Sequence, residues 1–198
     1  MRWCALAMQY ARMVVGYHGC DAAVAARVLA GEPFQESAND YDWLGRGVYV
    51  WEYGPDRALR FAREQQQRGK LQTPALVGAL VQLGTCFDLM DTHFMSDLAD
   101  GYRVWAEIHR ARGNPLPKNT GRPPGYKLRR LDCAVLNWYL DRAAEDGKAY
   151  DTVRCGFLEG EPVYPGSGIL RETHVQIAVR NPDCILGVFR PAPTRRRP

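Results

Sequence analysis

Leu44-Gly45-Arg46-Gly47-Val48-Tyr49-Val50 is the stretch on which the fold of this 198-residue chain turns. Two glycines in three positions form a tight turn, because glycine enters left-handed backbone without a Cβ penalty. The β-branched and aromatic run behind the turn predicts a strand over 48–51, with Tyr49 carried between valines. Upstream, Val15-Gly16-Tyr17-His18-Gly19 has a similar form. An apolar run over 13–17 reads as a strand, checked by Gly16 and Gly19, and it delivers His18 at its end. A helix follows each strand. Asp21 caps the first, in which Ala22, Ala25, Ala26 and Leu29 recur at helical spacing as far as Gly31. Pro55 opens the second, which continues through Ala58, Phe61 and Ala62 to about residue 68. The small residues on both helices allow close packing on the strand just left.

Working outward, residues 32–47 read as a polar and aromatic loop and 75–83 as β-like. Residues 92–112 carry Leu98, Trp105 and Ile108 on a helical stripe, with an Asp cap at the turn of Asp88 and Asp91. Four prolines and three glycines between 113 and 125 argue against regular structure. Residues 131–144 return to helix through Val135, Trp138 and Tyr139, and 150–154, 174–179 and 185–189 read as strands. The class is α+β, organised as one domain over 1–192 with a basic tail over 193–198.

Composition narrows the class of protein. Hydrophobic residues at 46% and charged residues at 24% match a soluble globular domain with enough apolar material for a core. The apolar segment 1–15 is interrupted by Gln9 and Arg12 and has no small-residue cleavage site behind it, so a secretory signal is not expected. No stretch approaches a membrane span. The six cysteines are scattered, without CxxC pairs or histidines at ligand spacing, which argues against zinc and for a reducing cytoplasm. Net charge is only +4, yet residues 110–130 hold seven basic and no acidic side chains, Arg122 and Lys127 among them. Such a run attracts phosphates.

The strand ending in His18-Gly19 and the Gly45-x-Gly47-x-Tyr49 element together resemble the PARP-like, or diphtheria-toxin-like, ADP-ribosyltransferases. The glycine pair lacks the third glycine and the flanking order of a Rossmann fingerprint. The resemblance implies a split β-sandwich with helices packed around it, holding NAD⁺ in a central cleft. It extends from Tyr17 to about Phe189, with Cys20 standing where many relatives carry Thr or Ser.

It also implies roles for individual residues. His18 would hydrogen-bond a ribose hydroxyl, and Gly19 would let the backbone approach the nicotinamide amide. Tyr49 would stack on the nicotinamide ring. Tyr17, Trp51 and Phe61 are further candidates for binding the dinucleotide. The family's third element is a carboxylate on a later strand, matched here within Arg171-Glu172-Thr173-His174-Val175-Gln176. Glu172 has the right chemistry near the strand start. Gln176 and His174 share its face, because strand side chains alternate, so Glu172 and Gln176 both stand as third catalytic residue. A carboxylate there would stabilise the oxocarbenium ion that develops as the glycosidic bond breaks.

The loop over 159–170, with Tyr164 in it, corresponds to the family's acceptor-contacting loop. Arg122, Tyr126 and Lys127 make a nucleic-acid acceptor credible, with Tyr126 available to stack on an unpaired base. The expected activity is transfer of ADP-ribose from NAD⁺ to a macromolecule, with no metal required. Small bacterial members of this family are often toxins or phage-defence effectors, which implies a protein antitoxin as partner. The same residues also suit an NAD⁺ glycohydrolase or a degenerate module that binds NAD⁺ or ADP-ribose. An RNA 2′-phosphotransferase would need several cleft arginines that cannot be placed from the sequence.

Overall fold

A computed structural model describes residues 9–121 and 125–192. The expected basic tail and Arg122 lie outside the described residues. The protein is α+β: eight strands and four α-helices are described. In chain order they are β1 (Gln9–Asp21), α1 (Ala22–Leu29), β2 (Val48–Glu52), α2 (Pro55–Gln67), β3 (Pro74–Asp88) and α3 (Thr92–Ala111). There follow β4 (Asn119–Thr120), β5 (Leu128–Arg129), α4 (Arg130–Glu145), β6 (Thr152–Phe157), β7 (His174–Val179) and β8 (Ile185–Phe189).

Six strands form one mixed sheet in the order β1-β2-β7-β6-β3-β8, and β1 also pairs with β3. The pairing of β1, β2, β7, β6 and β3 therefore closes into a ring, with β8 added outside β3. β3 makes the closure possible because it is long and bent. Its first part pairs antiparallel with β1, while Cys86–Asp88 pairs parallel with β6. The bend falls at Gly84, whose φ of +58° favours glycine. There the Asp151 carboxylate accepts from the Thr85 N–H at 2.8 Å.

Side chains turned into the ring form one core, drawn from Val14, Val48, Val50, Val81, Ile177 and Val179. On the other face of β6 and β7, Phe87, Phe94, Leu136, Leu140 and Val153 pack under α3 and α4. Gly19 is fixed by α2: a Cβ added there would collide with the Ala58 carbonyl oxygen. The two caps expected from sequence are present, Asp21 accepting from Ala23 N–H and Asp91 from His93 N–H, both at 3.0 Å. Asp88 is engaged differently, buried against Arg154 at 3.1 Å.

Several element boundaries differ from the sequence expectation. β1 and β3 are longer, and β6 starts later. Inside the proline-rich segment, Asn119–Thr120 pairs with Leu128–Arg129 as a two-residue ladder. The Asn119 carboxamide closes it, accepting from Leu131 N–H at 2.9 Å and donating to Asp132 at 2.7 Å. No helix among the described residues is long and apolar enough to cross a membrane.

Candidate functional site

His18 near the end of β1 and Tyr49 in β2 are tied together by a main-chain contact. His18 Nδ1 lies 2.8 Å from the Tyr49 carbonyl oxygen. A carbonyl only accepts, so Nδ1 carries the proton and Nε2 holds a lone pair. Burial lowers the His18 pKa, partly opposed by this hydrogen bond, so the ring is neutral at pH 7. Phe34 meets the ring edge-on, with centroids 5.2 Å apart.

Tyr49 is oriented from its other end. Its hydroxyl accepts from Leu44 N–H at 2.7 Å and donates to the Gly45 carbonyl at 2.6 Å. The glycine turn thus grips the phenol of the strand it feeds. Gly45 has φ +73°, and a Cβ there would meet the Asn137 carboxamide, which accepts from Arg46 N–H at 2.9 Å. Gly47 has φ +150° and runs against the Val179 carbonyl of β7. Burial, and next the Asp42 charge, push the Tyr49 pKa well above its ordinary value, so the phenol stays neutral.

These side chains line a cleft of about 530 Å³ whose wall also includes Trp51, Phe61, Gln176 and Lys127. The volume falls in the usual range for small-molecule and cofactor pockets, about 300–1,000 Å³. Cross-strand register explains the grouping. Gln176 of β7 faces Trp51 of β2 directly, and Phe61 of α2 packs on Trp51 with ring centroids 5.1 Å apart. Lys127 reaches the rim because its loop is docked on Trp43. The Trp43 indole donates to the Lys127 carbonyl at 3.1 Å, and the Arg129 guanidinium lies 4.0 Å from the Trp43 ring centroid.

Other expected site residues stand elsewhere. Glu172 is outside the cleft wall, bonded to Arg60 at 2.9 Å and 3.9 Å from Arg57. Burial opposes its ionisation, but the Arg60 hydrogen bond and the two arginine charges outweigh that and lower its pKa. His174 is buried behind the cleft, its Nδ1 2.6 Å from the Glu172 carbonyl oxygen, and burial lowers its pKa. Tyr17 packs edge-on against Phe189 and lines a separate pocket of about 230 Å³. Gly19 is buried beneath α2. Tyr164 is exposed in a hairpin-like loop closed by the Pro162–Leu170 bridge, and Tyr126 is half-buried with φ +34°.

No protein-family model, no curated protein and no solved structure matches the chain. The site therefore rests on its own geometry.

Among the cleft residues missed in the sequence, Arg57 and Glu159 stand out. Arg57, on the first turns of α2, and Glu159, just beyond β6, form an ion pair at 2.8 Å with side chains only 14% and 11% exposed. As a lone arginine on an amphipathic helix and a lone glutamate at a loop entrance, they carry no local mark of a site. Only the packing of α2 against the base of the 159–172 loop brings them inward, where Glu172 N–H donates to the Glu159 carbonyl at 3.0 Å.

The basic run is divided by the fold. Arg129 is held under Trp43 and Arg130 pairs with Asp40 at 3.0 Å, while Arg110 and Arg112 are exposed at the end of α3. Among the described basic members of the run, Lys127 lines the cleft, where Arg68 and Lys70 also stand. No group of three His, Cys, Asp or Glu side chains among the described residues is arranged to hold a metal ion.

Proposed function

We propose that this chain is an ADP-ribosyltransferase that cleaves NAD⁺ in the cleft of His18, Tyr49 and Gln176 and passes ADP-ribose to a macromolecule. The observation carrying this reading is the convergence of those three side chains on one cleft, with the His18 ring fixed through the Tyr49 carbonyl. His18 Nε2 accepts a ribose hydroxyl, and the Tyr49 ring packs against nicotinamide. The carbon–nitrogen glycosidic bond breaks with its electron pair leaving on nicotinamide. An acceptor nucleophile then bonds to the anomeric carbon and gives up its proton. Gln176 occupies the third position as a neutral hydrogen-bonding group. Glu159 stands on the same cleft wall with its charge paired to Arg57.

The acceptor we favour is single-stranded nucleic acid, because Lys127, Arg68 and Lys70 are exposed basic groups on the cleft. On this reading the protein acts in the cytoplasm as a toxin or phage-defence effector restrained by a protein antitoxin. Incubation with labelled NAD⁺ and separate RNA, DNA and protein extracts tests it. Label on one extract with nicotinamide released supports transfer and names the acceptor class. Nicotinamide release without label on any extract points to hydrolysis instead.

A second reading follows from Gln176. With an amide where a carboxylate is expected, the cleft would bind NAD⁺ or ADP-ribose without cleaving it. NAD⁺ binding with no nicotinamide release would favour this reading.

A further inference from the structure

Among the described residues, six buried side-chain nitrogen or oxygen atoms have no hydrogen-bond partner. Four of them belong to one cluster: Trp51 Nε1, Arg57 Nε and Nη1, and His174 Nε2. The Arg57 guanidinium carbon lies 5.7 Å from the Trp51 ring centroid, and the His174 ring centroid lies 6.3 Å from that of Trp51. Trp51 is 3% exposed and lines the cleft together with Arg57. A buried donor or acceptor left unpaired is costly, so such atoms gathered in one place are expected to find a partner from outside the chain.

The chemistry of the partner can be read from the atoms. The indole N–H and the guanidinium N–H groups donate only. They therefore call for an acceptor, and the guanidinium charge favours an anionic one. Glu159 engages Nη2 of Arg57 at 2.8 Å and fixes the group from one side, leaving Nε and Nη1 unpartnered. His174 stands behind this pair rather than on the cleft wall, its Nδ1 proton committed to the Glu172 carbonyl.

We propose that Arg57 and Trp51 form a phosphate-binding subsite on the cleft wall. Two sources share that chemistry: the pyrophosphate of the dinucleotide and the backbone of a nucleic-acid acceptor. The choice between them rests on the ADP-ribosyltransferase reading, whereas the anion subsite does not.

The test is calorimetric titration of the full chain with inorganic pyrophosphate, ADP-ribose and a single-stranded oligonucleotide. Wild type is compared with Arg57→Gln and Trp51→Phe, each checked for a native circular-dichroism spectrum. Trp51→Phe keeps an aromatic ring and deletes the N–H, so a loss common to both variants reports the donors. Pyrophosphate affinity is expected to fall at least tenfold in both. If ADP-ribose weakens in parallel and competes with pyrophosphate, the dinucleotide is the source. If the oligonucleotide does so while ADP-ribose is unchanged, the acceptor is the source. No pyrophosphate binding to wild type, or equal affinities in the folded variants, would overturn the subsite. Nicotinamide release is measured alongside: its absence in a wild type that binds pyrophosphate would refute the transferase reading and leave the subsite standing.

Discussion

The His18 imidazole donates through Nδ1 to the Tyr49 carbonyl oxygen at 2.8 Å, so two strands that pair side by side also share a side-chain lock. The neutral ring and the imidazolium can both donate through Nδ1, and burial is what holds the ring neutral. Burial lowers the His18 pKa below that of the unfolded chain, about 6.5. Below that value the unfolded chain binds more protons than the folded one, so stability is full above about pH 6.5 and declines as pH falls through the lowered value. His174, also lowered by burial, adds to the same trend. Stability measured by denaturant melts from pH 8 to pH 5 should therefore fall on the acid side, and the slope should be shallower in His18→Gln. An identical slope in the variant would show that His18 is not the titrating group.

Tyr49 has two separable roles. Its hydroxyl holds Leu44 and Gly45, and its ring lines the cleft. Tyr49→Phe should cost about 1–3 kcal/mol in stability through the unpaired Leu44 N–H, while keeping measurable NAD⁺ turnover. Tyr49→Ala removes the ring as well, and turnover should be lost. Thermal melts and nicotinamide release on both variants check the separation. Equal turnover in the two would refute a role for the ring.

Gln176 lies within β7, whereas Glu172, four residues earlier, precedes the strand. Gln176 is 8% exposed on the cleft wall, whereas Glu172 is held at the loop base by Arg60. Gln176→Ala should lower kcat by roughly 10²-fold, the scale of losing a positioned transition-state contact. Glu172→Gln should leave kcat within a few-fold and cost no more than about 1 kcal/mol of stability, because Arg60 is half exposed. The reverse order of effects would return the third position to Glu172.

Gly19→Ala tests the packing of α2. A new Cβ meets the Ala58 carbonyl, a backbone atom that moves only with the helix. Destabilisation of about 1–3 kcal/mol is expected by denaturant titration, with NAD⁺ affinity falling because Arg57 and Phe61 ride on the same helix. An unchanged midpoint would mean that α2 is free to shift.

Much of this fold was legible because its signals are local. Asp21 and Asp91 cap their helices, Pro55 starts α2, and the Gly45-Arg46-Gly47 turn feeds β2, all from residues within a few positions of one another. The ring closure was not legible, since it depends on β3 bending at Gly84 and meeting β6 in parallel, a pairing between residues 66 positions apart. His18 and Tyr49 were singled out by strand-borne glycines and Gln176 by the family resemblance of its strand, and the fold brings the three, with Trp51 and Phe61, onto one cleft. Arg57 and Glu159 were not singled out, because each is an ordinary surface charge until α2 and the loop after β6 are packed together. The basic run misled in its extent: Arg129 serves the Trp43 contact and Arg130 serves Asp40, and neither fact is local to the run.

Nicotinamide release from NAD⁺ by the purified chain is the most direct measurement, made with wild type and Tyr49→Ala side by side in the presence of RNA, DNA and protein extracts. Cleavage in the His18–Tyr49–Gln176 cleft predicts release by wild type and none by the folded Tyr49→Ala variant. Release that continues in Tyr49→Ala, or no release by wild type with any extract, would contradict it.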